Sequence, residues 1–107
     1  MNDELLRYLM ACEGFDWDDG NFLKNWRKHT VTPWECEQVF FNSPLLAFND
    51  VSHSRNEPRI FVLGRTDGAR RLFIAATLRN RTIRVISARD MSRKEREVYE
   101  RQGQTPR

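Results

Sequence analysis

Residues 59–89, RIFVLGRTDGARRLFIAATLRNRTIRVISAR, contain three segments of strand-like composition separated by two turn signals. The turn signals are Asp67-Gly68 and Asn80-Arg81. Strands joined by such short connections pair with their neighbours in the chain, so this stretch predicts an antiparallel meander. The three segments are RIFVLGRT (59–66), RRLFIAATLR (70–79) and TIRVISAR (82–89).

Alternation within the second and third segments predicts which side chains share a face. If Asn80-Arg81 is a two-residue turn, Arg79 pairs with Thr82 and Thr77 pairs with Arg84. One face is then apolar and must be covered by helices: Leu72, Ile74, Ala76, Leu78, Ile83 and Val85. The other face is basic with one aromatic ring, which suits a nucleic-acid strand: Arg71, Phe73, Thr77, Arg79 and Arg84. A one-residue slip in the pairing would move the side chains of one strand to the opposite face. The pattern does not assign Arg59 and Arg65 to either face.

Helical patterns precede these strands. Residues 4–12 carry leucines and a methionine at helical spacing, and residues 15–17 are a short strand candidate. A helix is expected over roughly 20–29, with Phe22, Leu23 and Trp26 on its buried side. A capping box at Thr32-Pro33-Trp34-Glu35 starts another helix, whose core stripe is Cys36, Val39 and Phe40.

The rest of the chain completes an α+β domain. Residues 45–50 are extended, residues 51–58 form a polar loop, and Ser92-Arg93-Lys94-Glu95 is a second capping box that starts a helix through about Arg101. We expect one domain over residues 1–107, with a frayed tail at 102–107. The predicted architecture is an antiparallel sheet of three to four main strands, with N-terminal helices packed on one face and a C-terminal helix.

The charge is divided unevenly along the chain. Residues 1–57 hold five Lys and Arg against ten Asp and Glu, a net charge of −5, whereas residues 58–107 hold thirteen against five, a net charge of +8. Twelve of those thirteen cations are arginines, whose planar guanidinium groups bind phosphate with two hydrogen bonds. The pattern favours a polyanionic partner over a surface that is merely soluble.

Several classes of protein are disfavoured by composition and motifs. No apolar run approaches the roughly 20 residues that span a bilayer, and the first fourteen residues do not resemble a signal peptide. Cys12 and Cys36 have neither metal-ligand spacing nor a disulfide-rich pattern, which favours reduced thiols in a cytoplasmic protein. No zinc motif, glycine-rich phosphate loop or Ser/His/Asp motif is present, so we expect no metal and no cofactor.

Four stretches together resemble the BrnT family, covering roughly residues 15–99 in the family's order. They are FDWDDGNFLKNWRKHTVTPWECEQVF (15–40), DVSHSRNEPR (50–59), GRT (64–66) and TIRVISARDMSRKEREVY (82–99). The resemblance implies a RelE-like ribonuclease fold and inhibition of translation by RNA cleavage. It also implies a ribbon-helix-helix antitoxin, BrnA, which carries the operator-binding element, so that operator DNA is contacted only through the antitoxin.

The sequence departs from the family pattern at two places. Members usually begin close to Phe15, which makes residues 1–14 an N-terminal extension that we expect to be helical. Many members carry a lysine near the position of Asn21. If that lysine contributes to activity, the departure implies either a weaker protein or replacement of the lysine by Lys24 or Lys28.

Metal-independent RNA cleavage requires a base for the 2′-OH, cations for the phosphorane and an acid for the 5′-oxygen. Arg79 and Arg84 are the leading cations because they share the basic face. Arg65 follows Gly64, where a ligand has close access to the backbone, and Arg89 precedes a helix N-terminus that offers N–H groups to an anion. His53 and Glu57, in the polar loop, are candidates for the acid and the base. An equal alternative for His53 is that it simply lies in a solvated turn. The alternative for Glu57 is an ion pair with Arg59.

Other residues are candidates for RNA binding rather than catalysis. His29 lies at a predicted helix end, where packing is at least an equal alternative, and Tyr99 is either a stacking group or a core-edge residue. Arg93 opposes the dipole of its helix, a cost that a phosphate would offset, although Arg93 and Glu97 also fit an exposed ion pair. The set is Lys24, Lys28, His29, Arg71, Arg93 and Tyr99.

Two functions are therefore compared. In the first, the protein is an endoribonuclease toxin that cuts RNA by 2′-OH attack, without a metal, and is neutralised by an antitoxin. In the second, it is a non-catalytic module that grips nucleic acid or an acidic partner with its arginine-rich face. The first requires the guanidinium groups of the meander to be available to a sugar-phosphate chain rather than locked into carboxylate pairs beneath packed helices.

Overall fold

The computed structural model describes residues 3–53 and 57–103, without the side chains of Asp3 and His53. Four helices are present in these ranges: α1 (Asp3–Met10), α2 (Lys24–His29), α3 (Pro33–Phe41) and α4 (Arg93–Gly103). The five strands are β1 (Gly14–Phe15), β2 (Leu46–Asn49), β3 (Arg59–Arg65), β4 (Arg71–Arg79) and β5 (Thr82–Asp90). A short 3₁₀ turn, Val51–His53, follows β2.

The strands form one sheet in the order β1-β5-β4-β3-β2. The pairs are antiparallel except β1 with β5, which is parallel. The predicted meander is confirmed as β3–β5. The expected count of three to four main strands was too low, because β1 adds a two-residue edge on one side and β2 pairs with β3 on the other.

The predicted turn at Asn80-Arg81 sets the register. Both residues have positive φ, 49° and 64°, as a two-residue type I′ turn requires. Arg79 pairs with Thr82 and Thr77 with Arg84, as predicted. Farther along, Ala75 pairs with Ser87 but Ala76 with Val85, so Ile86 is an extra residue in a β-bulge.

The sheet has an inner and an outer face. The six apolar residues assigned to one face of β4 and β5 are all buried on the inner face, against Leu5 and Leu9 of α1 and Cys36 and Val39 of α3. The N-terminal helix therefore belongs to the main core. Helix α4 packs on the outer face, where Met91 and Tyr99 join Leu46 and Leu63 in a second cluster. The predicted packing of N-terminal helices on one face is confirmed for α1 and α3, and the predicted C-terminal helix is present, here on the opposite face.

The capping boxes form as predicted. The Glu35 N–H donates to Thr32 Oγ1 at 3.1 Å, and the Thr32 N–H donates to Glu35 at 2.9 Å. At α4 the Glu95 N–H donates to Ser92 Oγ and the Ser92 N–H to Glu95. Helix α4 continues to Gly103, so the first two residues of the expected frayed tail are helical, and residues 104–107 lie outside the described ranges.

The expected burial of Phe22, Leu23 and Trp26 was wrong. These side chains are 37%, 44% and 50% exposed, and α2 begins only at Lys24. The helix packs against the edge of β5 beyond the end of β1, where the strand presents backbone polar groups instead of apolar side chains. Two asparagines are buried there in place of the aromatic residues.

Three side chains of this segment bind the edge of β5 around its bulge. Asn21 Nδ2 donates to the Val85 carbonyl at 3.0 Å, and Lys24 Nζ donates to the Ile86 carbonyl at 3.0 Å. Asn25 Oδ1 accepts the Ala88 N–H at 2.9 Å. A buried backbone N–H or C=O group without a hydrogen-bond partner lowers the stability of the fold. The side chains that pack on this edge are therefore amide and ammonium groups, which can form hydrogen bonds, and not aromatic rings.

Gly64 lies on the inner face, where the close approach is made by α3 and not by a ligand. A Cβ at this position would stand 2.5 Å from Val39 Cγ1 and 3.4 Å from the Val39 carbonyl oxygen. The expectation that a ligand reaches the backbone at Gly64, beside Arg65, was therefore wrong.

Gly64→Ala is expected to destabilise the fold by about 1–3 kcal/mol, because the added methyl overpacks the α3–sheet contact. Urea unfolding monitored by circular dichroism measures the change. Gly14→Ala is the matched control, since a Cβ at Gly14 has nothing within 4 Å. Equal stabilities of the two variants would contradict this account of Gly64.

Candidate nucleic-acid interface

The register brings six arginines to the outer face, two from each of β3, β4 and β5. It confirms the shared face of Arg71, Arg79 and Arg84, and it assigns Arg59 and Arg65 to that face through their pairing with Thr77 and Arg71. The arginines divide into two groups, one beside the β4–β5 turn and one beside α4. The first group is Arg59, Arg79 and Arg84, and the second is Arg65, Arg71 and Arg89.

Beside the turn, two arginines and three carboxylates form what we call the charge cluster: Asp16, Asp18, Glu57, Arg79 and Arg84. Arg84 binds Asp18 with two hydrogen bonds of 2.9 and 3.0 Å. Arg79 binds both carboxylate oxygens of Glu57, with Nη2 donating to Oε1 at 3.1 Å. Asp16 lies between the arginines, 3.4 Å from Arg79 and 3.5 Å from Arg84.

The charge cluster is open to solvent and is not covered by a helix. The side chains of Arg79 and Asp18 are 45% and 56% exposed, whereas that of Arg84 is 19% exposed. The guanidinium groups thus share a face, as the enzyme interpretation requires, but carboxylates of the same chain occupy them. A phosphate that binds here must displace a carboxylate.

Local backbone structure places the acids of the cluster. The Asp16 N–H donates to the Ile83 carbonyl at 2.9 Å and so continues the alignment of β1 along β5. The Asp18 carbonyl accepts the N–H groups of Asn21 and Phe22, and its side chain accepts the Gly20 N–H at 2.8 Å. These bonds close a tight turn that holds the Asp18 carboxylate toward Arg84.

Hydrogen bonds from the arginines lower the pKa of two of these acids. The Arg79 guanidinium holds the pKa of Glu57 below its usual range, and the Arg84 guanidinium, helped by the Gly20 N–H, does the same for Asp18. Both groups are therefore ionised at neutral pH. In this state Glu57 is a proton acceptor and not a proton donor.

Of the two candidates in the polar loop, Glu57 has a described side chain and joins the charge cluster. Glu57 pairs with Arg79, whereas Arg59 lies 3.6 Å from Asp50. Glu57 therefore forms an ion pair as the alternative expected, but its partner is Arg79 and not Arg59. The backbone of His53 ends the 3₁₀ turn, but its side chain lies outside the described part of the chain.

At the α4 end, the expected phosphate site is filled by Glu95. This carboxylate accepts from Arg89 at 2.8 and 3.0 Å and also accepts the Ser92 N–H at 2.8 Å. Its pKa is lowered, first by the Arg89 hydrogen bonds and then by the N–H of Ser92. An internal anion thus takes the position at the helix start that we expected a phosphate to take.

The remaining residues of this end contact α4 or the loop before β2. Arg65 Nε donates to the Ser43 carbonyl at 2.9 Å, and Arg71 forms an ion pair with Glu100. Arg93 lies 3.7 Å from Glu97, which matches the exposed-pair alternative. Tyr99 is 5% exposed and its hydroxyl donates to the Pro44 carbonyl at 2.6 Å, which matches the core-edge alternative.

A row of stacked phenylalanines separates the two arginine groups. The rings of Phe48 and Phe61 lie 5.0 Å apart and those of Phe61 and Phe73 5.7 Å apart, nearly parallel. The Arg89 guanidinium lies 4.2 Å over the Phe73 ring. The sequence identified Phe73 alone, because Phe61 could be placed only once the length of the β3–β4 turn was known.

The predicted cations of α2 do not join the charge cluster. Lys24 is half-buried against β5, while Lys28 and His29 are exposed. Asn21, where many family members carry lysine, is buried and binds the Asp16 and Val85 carbonyls. Its role here is to hold the turn before α2 against the sheet.

Arg70 is a further paired arginine that the sequence analysis did not single out. It donates to Asp90 at 2.7 and 3.1 Å, to the Thr30 carbonyl at 2.8 Å and to Glu35. It thus connects the end of α2 and the start of α3 to β5. Nothing in the sequence showed that Arg70 makes this contact and its neighbour Arg71 does not.

The described residues hold neither a metal-binding cluster nor a membrane-spanning helix. No group of three or more His, Cys, Asp or Glu side chains within them is arranged to hold a metal ion. None of the helices in the same ranges combines the length and the apolar character needed to cross a membrane.

An α+β fold with six arginines on one face of its sheet is the arrangement expected of a small protein that handles nucleic acid. Residues 17–95 match the family model described as the ribonuclease toxin BrnT of type II toxin–antitoxin systems. The chain therefore belongs to the BrnT family. Membership implies an RNA substrate and an antitoxin partner. No curated protein matches the chain significantly.

Glu95→Gln is expected to lower the free energy of unfolding by about 1 kcal/mol at neutral pH, through loss of the charged contact with Arg89. Because folding depresses the pKa of Glu95, its stabilisation is present above the unfolded-state pKa and is lost as pH falls through the folded-state pKa. The difference from the parent protein should shrink as pH falls through the folded-state pKa of Glu95.

Urea unfolding of both proteins between pH 3 and 7 measures this effect. Glu97→Gln is the control, because the Glu97 side chain is 58% exposed and its ion pair among the described residues is with Arg93 at 3.7 Å, so its effect should stay close to zero. A pH-independent deficit for Glu95→Gln would contradict the assigned role of the carboxylate.

Proposed function

We propose that this protein is a metal-independent endoribonuclease toxin that binds RNA on the outer face of the sheet and cuts it at the charge cluster. Family membership supports the ribonuclease activity. The observation that carries the site is the bridging of Arg79 and Arg84 by Asp16, which places two guanidinium groups and the Glu57 carboxylate within one solvent-open cluster.

The proposed reaction is attack of a ribose 2′-oxygen on the adjacent phosphorus. Glu57 accepts the 2′-OH proton, the bond from phosphorus to the 5′-oxygen breaks, and the products carry a 2′,3′-cyclic phosphate and a 5′-hydroxyl. Arg79 and Arg84 balance the negative charge of the phosphorane. His53 is proposed as the acid that protonates the departing 5′-oxygen.

Substrate binding is proposed to change the basicity of Glu57. The pKa of this carboxylate is low because Arg79 donates to it. When a phosphate takes over the Arg79 guanidinium, Glu57 loses that partner and its pKa rises toward the usual range, which makes it a better base. The same exchange requires RNA to outcompete Glu57, so binding and activation are coupled.

The remaining features of the proposal follow from the family. We propose a RelE-like fold, inhibition of translation in the cytoplasm and neutralisation by a ribbon-helix-helix antitoxin of the BrnA type. Operator DNA would be contacted only through that antitoxin. Arg65 and Arg89 are proposed to steer the RNA backbone along the face, with Arg71 and Arg93 at its α4 end.

The occupied guanidinium groups favour a second candidate function. Five of the six outer-face arginines have a carboxylate partner within the described residues, and this suits a module that holds an anionic partner without cutting it. Such a protein would bind RNA in a salt-sensitive manner and release no product.

Arg79→Ala and Arg84→Ala are each expected to reduce RNA cleavage in EDTA by about 100-fold or more, because each removes a donor to the developing charge. Gel analysis of a defined single-stranded RNA, with detection of cyclic-phosphate ends, measures the rate. Circular dichroism checks that both variants remain folded.

Arg81→Ala is the matched control. Arg81 lies in the same hairpin, is exposed and pairs with Glu13 at 3.7 Å, but it is outside the charge cluster, so cleavage should be unchanged. Salt-sensitive RNA binding by the folded parent protein, with intact RNA at all times, would refute the enzyme and support the binding module.

A further inference from the structure

A groove beside the charge cluster combines an exposed aromatic ring with cations that have no carboxylate partner among the described residues. It has a volume of about 510 Å³, and its lining includes Phe22 and Leu23 on the apolar side and Lys24, Arg27 and Lys28 on the basic side. Asp19 is the acidic residue in the lining. These properties are unusual for a segment that the amphipathic pattern predicted to be core.

The aromatic side of the groove continues into a ladder of rings. Phe22 meets Trp17 at a centroid distance of 6.0 Å and Trp34 at 5.9 Å, both edge to face. Trp34 is 62% exposed and Trp26, in α2, is 50% exposed. Exposed aromatic surface of this size on a small protein is typical of a binding site.

The basic side of the groove differs from the sheet face. Arg27 and Lys28 have no carboxylate partner among the residues that the structure describes, whereas Arg79 and Arg84 are occupied by Glu57 and Asp18. A ligand phosphate therefore meets free cations in the groove without displacing an internal anion. The net charge of the lining, three cations against one carboxylate, is complementary to a polyanion.

The groove is also continuous with the charge cluster. Gly20 lines the groove, and a Cβ at this position would lie 3.4 Å from Arg84 Nη2. The turn at residues 18–21 thus separates the two sites by the thickness of one backbone segment. A strand whose phosphate lay on Arg84 would have to cross only this turn to reach the groove.

We propose that this groove holds a nucleotide of single-stranded RNA next to the cleaved bond, with its base against Phe22 and the neighbouring rings and its phosphate on Arg27 and Lys28. Bases of unpaired RNA are commonly held by aromatic side chains beside a basic track. The inference rests on the proposed function in one respect, that RNA is the substrate, and it assigns the contacts that hold the strand before Glu57 is displaced from Arg79.

The test uses binding of a single-stranded 2′-O-methyl oligonucleotide, which lacks the attacking hydroxyl and stays intact whether or not the protein is an enzyme. Arg27→Glu is expected to weaken binding by about tenfold or more, with a smaller dependence on salt. Arg7→Glu is the matched control, because Arg7 is also exposed, helical and without a described carboxylate partner, but lies in α1.

Phe22→Leu tests the stacking contact while keeping an apolar side chain between Trp17 and Trp34. All three tryptophans lie in the ladder or in α2, so their fluorescence reports on the groove. The oligonucleotide should quench this fluorescence in the parent protein, and Phe22→Leu should weaken binding by about threefold to tenfold. Tyr8→Leu, a partly exposed aromatic position in α1, should have no effect.

The outcomes separate this inference from the proposed function. Weaker binding by Arg27→Glu and Phe22→Leu than by their controls supports the groove even if ordinary RNA is never cut, in which case the enzyme proposal fails alone. Equal binding by variants and controls, with cleavage intact, overturns the groove alone. Unchanged RNA binding with loss of inhibition by the antitoxin makes the groove a protein-docking site and also overturns the inference.

Discussion

The two-residue turn between β4 and β5 determines which side of the sheet Arg79 and Arg84 occupy. Asn80 and Arg81 both adopt positive φ, and this conformation fixes the pairing of Arg79 with Thr82. A shift of one residue would carry Arg84 into the core and Ile83 into solvent. The inner face beside the turn and the charge cluster both depend on this register.

Much of the charge asymmetry of the chain is satisfied within the fold. Acids of the N-terminal half lie against arginines of the C-terminal half: Asp16 and Asp18 with Arg84, Glu57 with Arg79, Asp50 with Arg59 and Glu35 with Arg70. The two halves thus neutralise each other along the outer face and at the start of α3. An excess of arginine in one half of a sequence can therefore reflect ion pairs inside the molecule as well as affinity for an external anion.

The sequence predicted the elements whose signals are local. The meander, both capping boxes and the face shared by Arg71, Arg79 and Arg84 follow from turn residues, caps and alternation. The error at α2 has a physical cause, because apolar spacing predicts a buried face only when the helix packs on an apolar surface. This helix packs on a strand edge, so Asn21 and Asn25 are buried and Trp26 is left in solvent.

The candidate site was predictable only in part. Alternation brought Arg79 and Arg84 together, but their carboxylate partners come from positions more than twenty residues away, and no spacing rule connects Asp16 or Asp18 to Arg84. The β5 bulge at Ile86 was equally invisible, although it allows Arg89 to share the face of Phe73. The local pattern thus located the arginines, but only the tertiary structure showed which carboxylates they bind.

The side chains that fill the edge of β5 have a consequence for assembly. An open strand edge accepts a strand from another molecule, which is a common way for partners to join and for folded proteins to aggregate. Here Asn21, Lys24 and Asn25 already use the polar groups of Val85, Ile86 and Ala88, and the bulge interrupts the regular ladder. Strand addition along this part of β5 would have to displace these side chains, so a protein that contacts this side of the molecule meets side chains and not a free strand edge.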